Sequence, residues 1–168
     1  FSHVITAFDL GGSTMWLDTT LEVAPFGMLL AHERDADVLR IGPSGRPALA
    51  KTPAEPIRPN AWRVASTGTL DDRGRLSLDV KEVVSGDAEI LLRGLFRVAP
   101  RGRWADMVNA FALGETYDGT VTLVETSSPE DTSAPFEVTY RFTAESFSNW
   151  RSGSIYPPAV VNLPPVPD

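Results

Sequence analysis

The sequence predicts an α+β fold in which an antiparallel sheet carries two helices on one face. Residues 62–80 and 120–143 alternate apolar and polar side chains, which is the period of strands with one buried face. Residues 88–96 instead repeat apolar side chains at helical spacing, and a second apolar stripe runs over residues 104–111. The predicted order is therefore ββααββ, and a separate β-rich segment precedes it.

The composition suits an ordinary hydrophobic core and excludes several classes of function. The 168 residues are 42% hydrophobic, which is enough for one domain and an appendage. Lys and Arg number 15 against 22 Asp and Glu, and the net charge of −7 argues against nucleic acid as a partner. No apolar run approaches the length of a membrane span. There is no cysteine, which excludes disulfides and thiolate metal sites, and no phosphate loop or metal-ligand cluster indicates a cofactor.

The first predicted element is a β-hairpin whose two strands flank a Gly-Gly turn at 11–12. A register with an even number of loop residues places Phe8 opposite Met15. His3 and Asp18 are then diagonal neighbours on one face, about 7–8 Å apart at the backbone and within side-chain reach. A shift of one residue would place them on opposite faces of the hairpin.

This pair makes His3 and Asp18 the candidate catalytic residues. A carboxylate beside an imidazole is the orienting half of a nucleophilic triad, because the acid fixes the ring tautomer and the ring accepts the nucleophile's proton. A buried His–Asp pair that only stabilises the fold is the more common arrangement, so both interpretations stay open here.

The segment FSHVIT…WLDTT resembles the end of a transglutaminase-like core, in which a strand carrying the catalytic His precedes a strand carrying the Asp. His3, Trp16 and Asp18 match that pattern, and the second strand stands here as Trp16-Leu-Asp-Thr-Thr20. The stretches DTTLEVAPFGMLL, GDAEILLRGLFR and SPEDTSAPFEVTY resemble bacterial transglutaminase-like proteins that carry a domain of unknown function ahead of the core.

The resemblance implies a thiol enzyme that acts by acyl transfer or amide hydrolysis through a Cys thioester, with His3 as base and Asp18 orienting it. The family's Cys lies on a helix upstream of the His strand, so we expect it upstream of Phe1 in a parent chain and expect this fragment to be inactive alone. The implied partners are that upstream core and a protein or peptide substrate, in an exported bacterial protein. The alternative is a non-catalytic accessory domain that docks the core or a protein or glycan partner.

The predicted organisation has four parts. Residues 1–45 are the distal strands of the transglutaminase-like core, including a short strand at 37–41, and residues 46–59 are a Pro-rich linker. Residues 60–145 form the α+β accessory region. Residues 146–168 form an extended Pro-rich tail.

Three details of the helical stretch and one of the first region are also predicted. Glu89 and Arg93 are spaced to pair along the first helix on a solvated face. The second helix is expected to open at Pro100 and to end at Gly114. His32 is expected to be exposed, because nothing near it in the sequence supplies a nucleophile.

Overall fold

The computed structural model describes residues 3–42, 44–111, 119–149 and 154–155. Within these ranges strands dominate, two α-helices are present and the sheets are antiparallel, so the predicted α+β class is confirmed. The strands are β1 Thr6–Leu10, β2 Ser13–Leu17, β3 Asp37–Ile41, β4 Pro47–Lys51, β5 Ala61–Leu70, β6 Leu76–Ser85, β7 Thr120–Thr126, β8 Phe136–Ala144, β9 Ser148–Asn149 and β10 Ser154–Ile155. The helices are α1 Asp87–Val98 and α2 Trp104–Phe111, and 3₁₀ turns lie at Ala31–Glu33 and Arg101–Arg103.

The first hairpin, β1 and β2, has the predicted register. Phe8 lies opposite Met15 in the antiparallel pair. Gly11 and Gly12 form the two-residue turn with φ of 60° and 86°, a backbone that favours glycine at both positions. The turn chemistry therefore fixes which side chains share a face of this hairpin.

The second hairpin pairs β3 with β4, with Asp37 opposite Lys51. The strand at 37–41 is as predicted. Residues 46–59, expected to form a Pro-rich linker, instead contain a paired strand, Pro47–Lys51. Pro47 is tolerated since it occupies the first position of a strand at the edge of a two-stranded sheet.

The four-stranded sheet has the order β5-β6-β8-β7, and every neighbouring pair is antiparallel. Trp62, Val84 and Phe136 lie side by side across three of its strands. Helix α1 packs against β6 and β8, and α2 packs against β7, so the helices and the sheet enclose one apolar core. The buried core residues are Leu76, Val80, Val84, Leu92, Phe96, Val108, Val121, Phe136, Val138, Tyr140, Phe142, Ala144 and Phe147.

The buried acid Glu82 lies against this core. The Glu82 side chain is 1% exposed and accepts two hydrogen bonds, from the Trp62 indole N–H and from the Tyr140 hydroxyl, each at 2.6 Å. Burial first, and then the charge of Glu82 and the hydrogen bond to it, raise the pKa of the Tyr140 hydroxyl. Both donors thus keep their protons and satisfy a carboxylate that would otherwise be costly to bury.

The face of helix α1 that carries Glu89 and Arg93 was predicted to be solvated, and it is buried. Glu89 and Arg93 do pair, with Nη2 and Oε1 2.9 Å apart, but both side chains are fully buried. Arg93 also donates to the backbone carbonyls of Ser128 and Ala134 at 2.9 and 2.6 Å, and thereby pins the loop between β7 and β8. The burial has a tertiary cause, because the loop covers this side of the helix. Leu91, which falls on the predicted apolar stripe over residues 88–96, is instead 61% exposed.

The second helix starts later than predicted. Pro100 has extended backbone, with ψ of 139°, and a 3₁₀ turn separates it from α2 at Trp104. The predicted end at Gly114 lies outside the described residues. The predicted tail, residues 146–168, includes Phe147, which is buried in the core. Most other residues of the tail lie outside the described ranges. Among the described residues, neither helix has the length and apolar content needed to cross a membrane.

Candidate functional site

His3 and Asp18 lie at the same end of the first hairpin, just before β1 and just after β2. The His3 Nε2 and Asp18 Oδ2 atoms are 3.1 Å apart, which confirms the predicted proximity of the two side chains. The ring is 41% exposed and the carboxylate is 2% exposed. The site therefore presents an accessible imidazole above a buried acid, and the catalytic role of the pair stays a prediction.

Asp18 is held in place by Thr20. Its Oδ1 atom accepts the Thr20 backbone N–H at 2.9 Å and the Thr20 hydroxyl at 2.7 Å, which leaves Oδ2 for His3. Burial alone raises the pKa of the Asp18 carboxyl. The Thr20 hydrogen bonds, followed by those of His3 and Glu33, outweigh burial and hold this pKa below its ordinary value. Asp18 is thus a carboxylate at neutral pH.

Hydrogen-bonding roles of the two ring nitrogens follow from this contact. Because Asp18 is a hydrogen-bond acceptor, it favours the tautomer with the proton on Nε2 of His3. The other nitrogen, Nδ1, then carries the lone pair. This is the arrangement that a general base requires.

A third residue, Glu33, reaches the same ring nitrogen and was missed by sequence analysis. Its Oε1 atom lies 3.2 Å from His3 Nε2, and its side chain is 5% exposed. Its other oxygen, Oε2, accepts the Leu30 backbone N–H at 2.8 Å and closes the 3₁₀ turn. The one pattern in the sequence that involves Glu33 is an acid placed three residues after Leu30, where it can accept the first backbone N–H of a turn. That pattern does not predict a contact with His3.

The two acids are electrostatically linked. Burial first, and then the neighbouring Asp18 charge and hydrogen bond, raise the pKa of the Glu33 carboxyl, although the Leu30 N–H and His3 oppose the shift. Among the described residues, Glu33 Oε1 has no well-aligned hydrogen-bond partner, so the 3.2 Å approach to His3 is a charge contact with poor angular geometry. A proton on Glu33 would let it donate to Asp18, so that the pair carries a single negative charge.

His3, Asp18 and Glu33 also have the spacing of metal ligands. One ligand atom of each lies within 4.8 Å of the other two, an imidazole and two carboxylates of the kind that bind zinc. Sequence analysis found no such cluster, because folding alone brings Glu33 to the hairpin. Since Nε2 is at hydrogen-bond distance from Asp18, we take the hydrogen of the ring N–H, rather than a metal ion, to be what these acids face.

A groove of about 430 Å³ opens beside His3, between the first and second hairpins. Its walls are mainly apolar, and they include exposed side chains such as Val4 and Ile41. Arg40 adds one cation, which is paired with Asp9 at 2.8 Å. The other lining residues are Ile5, Ala7, Trp16, Val38 and Leu39.

His32 is exposed, as expected, while the adjacent Glu33 points to the site. The chain matches no protein-family model, no curated protein and no solved structure.

Proposed function

We propose that residues 1–45 are the distal part of a transglutaminase-like thiol enzyme, which acts by acyl transfer or amide hydrolysis through a Cys thioester. The observation that carries this is the 3.1 Å contact between His3 Nε2 and Asp18 Oδ2. The Trp-Leu-Asp-Thr-Thr motif supports it, since Thr20 is the residue that aims Asp18 at the ring. The nucleophile would be supplied by an upstream segment of a parent chain, because these 168 residues hold no cysteine.

In this mechanism His3 accepts and gives back a proton twice, once as the thioester forms and once as it breaks. Nδ1 accepts the thiol proton as sulfur bonds to the carboxamide carbon, and Nε2–H stays hydrogen-bonded to Asp18. Nδ1 then gives that proton to the leaving amine as the C–N bond breaks, which leaves a thioester. An incoming amine or water attacks the thioester carbon and loses its proton to Nδ1, which returns that proton to sulfur as the C–S bond breaks, so that the product leaves and the thiol is restored.

The groove beside His3 suits a protein or peptide substrate. Its mainly apolar walls can hold an extended segment while the reactive carboxamide lies at the exposed ring. Such a substrate agrees with the further proposal that the parent protein is exported from a bacterial cell.

A second candidate function belongs to the rest of the chain. Here residues 60–145, with the order ββααββ, are an accessory region that docks the catalytic core. Two ion pairs favour this, because they link the first region to α1: Arg34 with Asp87 at 2.6 Å, and Glu22 with Arg97. The two candidates are compatible within one parent protein.

Incorporation of a fluorescent primary amine into a glutamine-containing protein, and hydrolysis of the same carboxamide, would test the enzyme in the parent chain. His3→Ala should lower kcat/KM at least about a hundredfold, the usual contribution of a general base. His32→Ala is the matched control and should leave the rate unchanged. Full activity of the His3→Ala parent, or turnover by the isolated 168-residue chain, would contradict the proposal.

A further inference from the structure

We propose that Glu33 is a second positioning acid for His3, which contacts the same ring nitrogen, Nε2, as Asp18 does. This role rests on the proposed function of His3 as the base. It adds to the triad a residue that lies outside the motif shared with transglutaminase-like sequences.

The contact geometry is the first support. His3 Nε2 lies 3.1 Å from Asp18 Oδ2 and 3.2 Å from Glu33 Oε1, so one N–H faces two acids. One acceptor leaves an imidazole free to swing about that single contact. The carboxylate oxygen of Glu33, at nearly the same distance, adds a charge contact to the hydrogen bond with Asp18 and so restricts the swing of the ring.

Burial and anchoring of Glu33 are the second support. Its side chain is 5% exposed, and Leu30 N–H fixes one carboxylate oxygen at 2.8 Å. The Glu33 carbonyl accepts the buried Thr52 hydroxyl at 2.6 Å, and Thr52 follows β4 directly. A side chain held at its carboxylate and at its backbone is rigid enough to position another residue.

The anchoring extends to the accessory region. Arg34, the next residue, donates from Nη2 to Asp87 Oδ2 at 2.6 Å. The Asp87 backbone N–H in turn donates to the Asn60 side-chain oxygen at 2.8 Å. Residues from both parts of the chain therefore fix the turn that presents Glu33 to His3.

The simpler alternative is that Glu33 serves the turn alone, through Leu30. Glu33→Gln separates the two roles. Because the Leu30 N–H requires an acceptor, the Gln oxygen should take that place and turn its NH₂ group toward His3. The Gln variant keeps the bond that closes the turn and removes the charge contact with His3, whereas Glu33→Ala removes both.

The test is the tautomer of His3, read in the 168-residue chain from the ¹⁵N shifts of its ring at a pH where the ring is neutral. Glu33→Ala should lower the ratio of the Nε2–H to the Nδ1–H tautomer about twofold to fivefold, the usual contribution of a charge contact to a partly exposed group. Glu33→Gln should lower it as well while the Leu30 amide resonance stays at its wild-type position. Asp18→Asn is the positive control, and Glu55→Gln, an exposed acid, is the matched negative control.

Two outcomes would overturn the inference. One is an unchanged tautomer ratio in both Glu33 variants. The other is a ratio that falls in Glu33→Ala and is fully restored in Glu33→Gln, since turn closure alone would then explain the effect. The measurement needs no nucleophile, so a failed activity test in the parent chain leaves it intact. Failure here equally leaves the His3→Ala activity test standing.

Discussion

The Arg34 guanidinium and the Asp87 carboxylate form an ion pair, with Nη2 and Oδ2 2.6 Å apart. It joins the residue after Glu33 to the first residue of α1. The side chains are 10% and 17% exposed, so water and salt screen the pair weakly. The 3₁₀ turn beside His3 is thus tied to a helix far along the chain.

Replacing Asp87 by Ala should destabilise the protein more than breaking an exposed pair does. The change leaves a mostly buried guanidinium without its carboxylate, and we expect a loss of about 2–3 kcal/mol in the free energy of unfolding, somewhat below that of a fully enclosed pair. Asp79→Ala is the control, because its pair with Arg141 is exposed and should contribute about 0–1 kcal/mol. Urea unfolding measures both, and equal losses would contradict the expectation.

Glu33 and Asp18, the two acids at His3, should affect the free energy of unfolding in opposite ways as the pH changes. Burial raises the pKa of Glu33 above 4.5, so its contribution is full below about pH 4.5 and is lost as pH rises through the raised pKa. For Asp18, burial opposes the shift but the Thr20 hydrogen bonds lower the pKa below 3.8. Its contribution is therefore present above about pH 3.8 and is lost as pH falls.

Unfolding of Glu33→Gln and Asp18→Asn at several pH values separates these effects. Between about pH 4 and pH 7, Glu33→Gln should gain stability relative to wild type, since Gln cannot ionise. Asp18→Asn should lose most at neutral pH and approach wild type as the acid is protonated. Parallel curves for wild type and both variants would show that neither acid has a shifted pKa in the fold.

The Tyr140 hydroxyl should resist ionisation for as long as the protein is folded. Burial raises its pKa above 10.0, so its contribution to stability is full below about pH 10 and declines as pH rises beyond it. Tyrosinate absorbance should therefore show one of the three tyrosines ionising only on unfolding. Tyr140→Phe should remove that late step and cost about 1–3 kcal/mol, because Glu82 loses a hydrogen bond. A late step that survives in Tyr140→Phe would belong to another residue.

Arg93 should be irreplaceable by lysine. Its guanidinium contacts Glu89 and several loop carbonyls at once, and an ammonium group lacks the fork needed to make these bonds together. We expect Arg93→Lys and Arg93→Ala each to lower the free energy of unfolding by about 3–5 kcal/mol. Arg103→Ala, at an exposed pair with Asp106, is the control and should change it by less than about 1 kcal/mol. Rescue by lysine would indicate that charge alone is needed.

The hairpin and the His3–Asp18 contact could be predicted because they depend on local chemistry. A two-residue Gly-Gly turn sets the register, and the register decides which side chains share a face. Glu33 could not be found in this way. Its approach to His3 depends on how the segment after β2 folds back over the hairpin, and that segment has no regular period.

Helix α1 shows that helical spacing alone does not determine which face of a helix is buried and which is exposed. Glu89 and Arg93 are charged at i,i+4 spacing, which normally indicates a solvated face. Their burial requires the carbonyls of residues 128–134, some forty positions later in the chain. Leu91 is exposed for the same reason, since the helix turns its charged pair toward that loop.

The way Arg93 holds the loop between β7 and β8 also bears on how the sequence can change. The arginine contacts main-chain oxygens there, those of Ser128, Pro129 and Ala134, and main-chain oxygens are common to all amino acids. The contacts with Arg93 therefore do not restrict the side chains at these loop positions, provided that the path of the backbone is kept. Arg93 itself is the residue that we expect to tolerate no substitution. A library randomised over residues 128–134 should yield many folded clones, which makes this loop a place to graft a foreign peptide.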